Sequence, residues 1–168
     1  MEHMARTIRT LPILVLWAGC VMLTACKSGP PKPPKPQVVK LTVSVSADAN
    51  PDAQSRPSPI VLRVYQLKDD AAFKDADFFA LYDKEQVTLA ASLISREEFE
   101  VAPGQQKVVD YQLSLDARFV GVAAAYRDIR NAAWRAEIGS QDKGLAGIAK
   151  KSKLNVSAGR ASVAFSAE

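Results

Sequence analysis

After Cys26 the chain contains neither cysteine nor histidine; the only histidine is His3 and the only cysteines are Cys20 and Cys26. That removes zinc ligand sets, Cys–His and Ser–His–acid nucleophile arrangements, and disulfides from everything downstream. An excess of one charge is missing as well. The whole chain carries 22 Lys+Arg against 18 Asp+Glu, but Arg6, Arg9, Lys27, Lys32, Lys35 and Glu2 all precede Val38, so the remainder holds 17 of each. A neutral body lacks the basic face that neutralises phosphates, and no nucleic-acid partner is expected. A spanning segment is missing too. The apolar run Leu11–Leu23 has 13 residues, interrupted only by Pro12 and Gly19, and a transmembrane helix needs about 20.

What is present at the amino terminus reads as an address. Arg6 and Arg9 precede the apolar run, which has the length and flanks of a secretory signal. The run ends in Leu23-Thr24-Ala25-Cys26, which resembles the bacterial lipobox. That resemblance implies cleavage before Cys26, with S-diacylglycerol and N-acyl groups added to it. The alternative is a plain signal peptide with an incidental cysteine. Cys20 fits less well, because Trp17 stands where the lipobox has Leu and cleavage there would split the apolar run. One acyl chain binds a membrane marginally and two or more bind stably, so the mature chain is expected to be anchored without spanning. Position 27 is Lys rather than Asp, which in such lipoproteins favours the outer membrane over the inner. The start at Met1 or Met4 is left open.

Residues 27–37, KSGPPKPPKPQ, include five prolines. Proline fixes φ and lacks an N–H donor, so an extended polyproline II stalk is expected. At ~3.1 Å per residue it would reach ~34 Å. The expected organisation is 1–25 signal peptide, 26–37 lipidated Cys26 and proline-rich linker, and 38–168 folded body.

The body reads as mainly β. In Val38–Ser46, Val39, Leu41, Val43 and Val45 alternate with polar residues, which predicts a half-buried strand. Ile60–Leu67, Gln105–Leu115, Arg118–Tyr126 and Asn131–Ile138 are further strands; the fourth of these five is apolar on both faces and small enough around Gly121 for close packing. Lys153–Ser157 and Ala161–Ser166 flank Ala158-Gly159-Arg160 as a final hairpin. Seven or so short strands indicate a β-sandwich.

Between Lys68 and Pro103 the period changes, which predicts a helical insertion at about 70–96. Asp75 is the expected cap for a helix through Phe78, Phe79, Leu81 and Tyr82, and Leu89–Ile94 reads as a further helical turn. Glu97–Val101 rejoins the sheet before the Pro103-Gly104 turn. Phe73, Phe78, Phe79 and Tyr82 are expected to close one end of the sandwich. The first loop, Asp48–Pro59, is long for a strand connection and carries Pro51, Pro57 and Pro59. A stiff polar loop loses less entropy when a partner docks, yet the same residues also suit a solvated turn.

Several pieces stand together: ANPDAQSRPSPIVLRVYQLKDDAAFKDADFFALYDKE, then Glu97-Glu98-Phe99, Pro103-Gly104, VAAAYRD at Val122–Asp128, and Trp134-Arg135. Taken in this order behind a lipobox, they resemble the outer-membrane lipoproteins of type VI secretion systems, the TssJ (SciN/VasD) family. The resemblance covers nearly the whole mature body. It implies a transthyretin-like β-sandwich with a small helical insertion, lipid-anchored in the outer membrane and facing the periplasm. It implies binding to the periplasmic C-terminal region of the inner-membrane protein TssM, with TssL in the same complex. It also implies that the loop between the first two strands makes the contact, which selects Asn50, Asp52, Gln54, Ser55 and Arg56.

The expected function is therefore a tether in the type VI secretion membrane complex. It is not an enzyme, holds no metal, and has no cofactor beyond the lipid on Cys26. The alternative is a periplasmic lipoprotein that carries a small ligand or acts as an assembly chaperone. A Ser–Lys dyad within Lys150-Lys151-Ser152-Lys153 would need a desolvated lysine, and a charged loop is the simpler account. Glu97 and Glu98, adjacent on a strand, point to opposite faces and make a poor carboxylate pair.

Overall fold

Period-two alternation builds the domain strand by strand. The computed structural model describes residues 36–139, 145 and 153–166. The expected signal peptide, Cys26 and linker residues 27–35 lie outside the described residues, as do Lys150, Lys151 and Ser152. Eight strands are described: β1 Gln37–Val45, β2 Ile60–Leu67, β3 Leu93–Val101, β4 Gln106–Leu113, β5 Phe119–Ala124, β6 Arg135–Gly139, β7 Lys153–Ala158 and β8 Val163–Ser166. They form two four-stranded sheets, ordered β4-β1-β7-β8 and β3-β2-β5-β6. Among these eight strands β1 and β7 pair in parallel and the other ladders are antiparallel.

The two sheets face each other across one core, as the expected sandwich requires. Val39, Leu41 and Val43 of β1, Leu62 and Val64 of β2, Val120 and Val122 of β5, and Leu154 and Val156 of β7 all bury their side chains there. Gln66 bridges the sheets within it. Its amide nitrogen donates to the Gln112 carbonyl at 2.8 Å, and its amide oxygen accepts from the Ser114 N–H at 2.7 Å. The final hairpin forms as expected, with Val156 opposite Phe165. The expected Asn131–Ile138 strand starts later, at Arg135, because the residues before it belong to the loop leaving β5.

The outer face of the second sheet is also apolar. Tyr65 and Leu67 of β2 and Phe119 and Ala123 of β5 point away from the sandwich interior. Leaving such side chains in water would forfeit about 1.5–3 kcal/mol for each large one. The insertion covers them. Phe73, Leu81 and Leu89, one from each of three short helices, are buried on that face. Of the four aromatics expected to close an end of the sandwich, Phe73 instead roofs this sheet, Phe78 and Tyr82 are half-buried, and Phe79 is 62% exposed.

The insertion is not one helix. It comprises α1 Ala71–Asp75, α2 Phe78–Asp83, α3 Glu85–Leu89 and a 3-10 turn at Ala90–Ser92. The chain is extended at Ala76, so a second helix start is needed there, and Asp77 rather than Asp75 supplies the cap. Its carboxylate accepts from the Ala80 N–H at 2.9 Å. Asp75 is the last residue of α1. The expected helical turn at Leu89–Ile94 also stops short. Ala90 has φ 43°, and Leu93 already pairs with Leu67, so β3 starts four residues before Glu97.

Two strand arginines fasten the roof. Arg135 of β6 donates from Nη1 to the carbonyls of Phe73 (2.9 Å) and Ala76 (2.6 Å), satisfying acceptors at the end of α1. Arg63 of β2 donates to the Tyr82 carbonyl at the end of α2, stacks its guanidinium 3.7 Å from the Tyr82 ring centre, and pairs with Glu98 at 2.7 Å. Arg96 joins Glu85 to the same group at 3.1 Å.

Candidate partner-binding site

Strand pairing gathers four connections at one end of the domain. β1 and β7 run towards this end in parallel, β2 starts from it, and β3 and β5 return to it. The β1–β2 loop, the β3–β4 turn, the β5–β6 loop and the β7–β8 turn therefore meet there. Gln37, where the chain enters β1, lies at the other end.

Asp52 organises the first loop. Its Oδ1 accepts from the N–H groups of Gln54 and Arg56, both at 2.9 Å, and its Oδ2 accepts from Arg56 Nε at 2.8 Å. The Arg56 N–H, more than any other group, holds this carboxyl below the usual range; the Arg56 side chain, the Gln54 N–H and the charge of Arg127 add to the effect. Two backbone bonds tighten the same turn, from Asp52 N–H to the Arg56 carbonyl and from Ser55 N–H to the Asp52 carbonyl. Ser55 takes φ 60° at its tip. The result is a small closed ring that projects Gln54, Ser55 and Arg56 into solvent, with the Arg56 side chain 74% exposed.

Asn50 does something else. It is 3% exposed and adopts φ 48°, a left-handed conformation that asparagine tolerates better than most residues. Its amide nitrogen donates to the Pro59 carbonyl at 2.7 Å, and its amide oxygen accepts from the Arg127 N–H at 2.8 Å. Its own N–H donates to the Arg160 carbonyl at 3.2 Å. One buried residue thus joins the first loop to the β5–β6 loop through its side chain and to the β7–β8 turn through its main-chain N–H. Its amide group is used inside the fold, so Asn50 is a pin and not a contact residue. Of the five residues selected from sequence, Gln54, Ser55 and Arg56 are exposed, Asp52 is half-buried and Asn50 is internal.

The structure brings in residues that the sequence did not single out. Tyr126 donates its hydroxyl proton towards the Ser162 carbonyl at 2.6 Å, with the Gly159 carbonyl at 3.3 Å. Burial pushes this phenol up to about 12. Beside it, Asn50–Ala53, the β5–β6 loop and the β7–β8 turn enclose a basin of about 660 Å3. Tyr126, Arg127 and Asp128 do stand in the Ala-Tyr-Arg-Asp stretch, but no local pattern says that they meet a loop 77 residues upstream. Among the described residues, no cluster of three or more His, Cys, Asp or Glu side chains is spaced to hold a metal ion.

Comparison with known proteins places this geometry. Residues 37–161 match the family of type VI secretion lipoproteins described as SciN, VasD, EvfM and TssJ. The type VI secretion lipoprotein TssJ1 of Pseudomonas aeruginosa is 31% identical with a TM-score of 0.70, the match covering 80% of this chain and 98% of that one. Lip of Serratia marcescens, described as a membrane-bound component of the type VI secretion system, is 29% identical with a TM-score of 0.68, covering 80% and 99%. A chain of a structure described as a type VI membrane complex is 25% identical with a TM-score of 0.66, covering 79% and 100%. No curated protein matches the sequence. With the match running from β1 through the organised first loop and the roof into the β7–β8 turn, the chain belongs to the type VI secretion lipoproteins.

Proposed function

We propose that this lipoprotein tethers the periplasmic C-terminal region of TssM to the outer membrane, with TssL in the same complex. Cys26 carries the lipid, the proline-rich residues 27–36 lead from it to β1, and the domain faces the periplasm. The protein acts by binding, not by catalysis. The observation that carries this reading is the pre-organised ring Asp52–Arg56, which presents Gln54, Ser55 and Arg56 at the end of the domain away from Gln37. A loop already held by its own hydrogen bonds loses little freedom on docking. Arg56 presents a planar fork suited to a hot spot. Asp52 serves by shaping the ring, and Asn50 by fixing it to the neighbouring loops.

The test is a pull-down of the full chain with the periplasmic region of TssM, combined with cell fractionation. Arg56→Glu is expected to weaken binding by about tenfold while leaving thermal unfolding nearly unchanged, since the Arg56–Asp52 pair is a surface one. Cys26→Ser is expected to abolish palmitate labelling and release the chain into soluble fractions. No capture of TssM by the wild-type chain would end the tether reading, and unchanged membrane association of Cys26→Ser would end the anchor.

A further inference from the structure

Eight arginines lie among the described residues, and they divide cleanly. Arg56, Arg63, Arg96 and Arg135 are held by carboxylates or carbonyls, and Arg118 is engaged as well. The side chains of Arg127, Arg130 and Arg160 make no ion pair or hydrogen bond with any described residue, and all three line the same basin beside the first loop. Two acids also line it, of which only Asp52 has a cationic partner among the described residues. Asp52 is bound by loop amides and Arg56, and Asp128 accepts from Asn131 Nδ2 at 2.8 and 3.1 Å. Three arginines against the one uncompensated acid, Asp128, leave the basin net positive, although the chain from Val38 onwards is neutral.

The basin is also rigid where it matters. Asn50 holds the backbone of Arg127 and of Arg160, and the Tyr126 hydroxyl ties the β5–β6 loop to the β7–β8 turn. Guanidinium groups bind carboxylates through paired N–H donors. Three unpaired forks on a fixed frame, exposed to solvent and contiguous with the candidate contact loop, suit a carboxylate-bearing strand of protein. We infer that this basin receives an acidic segment of the protein partner, with Arg127, Arg130 and Arg160 as the contacting residues. The inference rests on the tether reading for the partner's identity, and on the arginines alone for its chemistry.

The experiment titrates the full chain with a peptide of alternating glutamate and glycine, with its glutamine counterpart, with phosphatidylglycerol vesicles, and with the periplasmic region of TssM. The glutamate peptide is expected to bind saturably, to weaken steeply with added salt and to shift the amide resonances of Arg127, Arg130 and Arg160; the glutamine peptide is expected not to bind. Arg130→Glu with Arg160→Glu is expected to lower affinity for both the glutamate peptide and TssM by at least about tenfold, whereas Lys40→Glu, near the start of β1 and outside the basin, leaves both unchanged. Equal binding of the two peptides, a preference for the vesicles, or glutamate binding that survives the double charge reversal would each overturn the proposal. So would TssM binding that survives it, leaving the tether reading intact. If wild-type protein binds the glutamate peptide but not TssM, the tether reading fails and the acidic-segment site stands.

Discussion

The tip of the Phe73 ring occupies the space that a side chain would take at Gly121: a Cβ there would lie 2.7 Å from Phe73 Cζ. The roof helix α1 can sit flush on β5 only because this residue is glycine. Both residues are buried, so neither can move into solvent. Gly121→Ala is expected to destabilise the domain by about 1–3 kcal/mol through overpacking. Adding Phe73→Leu should recover part of that loss, because the two sites share one volume. Additive losses in denaturant titrations of the single and double variants would refute the direct contact.

The hold of Arg135 on α1 gives a second test. Arg135→Met keeps the length of the side chain but leaves the Phe73 and Ala76 carbonyls without their donor. Losing charged hydrogen bonds to partly buried acceptors is expected to cost about 1–3 kcal/mol. The loss should be local. Hydrogen exchange is expected to accelerate through Ala71–Leu89 while the amides of β1 and β7 keep their protection.

Asn50 offers a separation of roles. Asn50→Asp keeps an acceptor for the Arg127 N–H but loses the donor to Pro59, and it sets a carboxylate against a carbonyl. It is expected to destabilise by about 1–3 kcal/mol, to loosen Arg127 directly, and to loosen Arg160 through displacement of the Asn50 backbone whose N–H holds the Arg160 carbonyl. Crosspeak broadening at both positions in one variant is the diagnostic. A change confined to residues 50–59 would show that the three connections are not coupled through this residue.

Alkaline pH should weaken the domain through its buried tyrosines. Burial raises Tyr65, Tyr111 and Tyr126, the last to about 12 from an ordinary 10.0. A raised phenol stabilises the fold fully below the unfolded value; that contribution declines from about pH 10 and is gone above the folded values. Asp52 works in the opposite sense, its small surface contribution fading as pH falls. Phenolate absorbance of the native chain is expected to lag behind that of the denatured chain on titration with base. Coincident curves would contradict the burial of these hydroxyls.

Much of this was legible in the sequence, and the exceptions have a common cause. Period-two alternation marked β1 nearly to its ends, and β2 begins and ends at the expected Ile60 and Leu67. Local patterns on one strand carry that information in full. The insertion was visible as a change of period, but its break at Ala76 was not, because the Arg135 donor that holds that carbonyl lies 59 residues away. Asp75 and Asp77 are equally good caps on paper, and only the backbone turn chooses Asp77. Trp134 reads as a strand residue, yet it sits just before β6 with Phe78 edge-on to it at 5.2 Å. Asn50 looks like any polar loop residue until Arg127 and Arg160 reach it. The basin was illegible for the same reason, since its arginines come from two connections that only the sheet pairing brings beside the first loop.

One strand connects the two ends of the domain. The chain enters β1 at Gln37 and leaves it at Val45 for the first loop. Along that length β1 is clasped on both edges, antiparallel to β4 from Gln37↔Leu113 to Ser44↔Gln106 and parallel to β7 from Lys40↔Lys153 to Val45↔Ala158. Ladder bonds run largely across the strands, so a pull between Gln37 and the loop loads both ladders in shear. The bonds then resist together instead of peeling one at a time. β1 is built as a tension member, and extending single molecules from those two points should give one abrupt, high-force rupture.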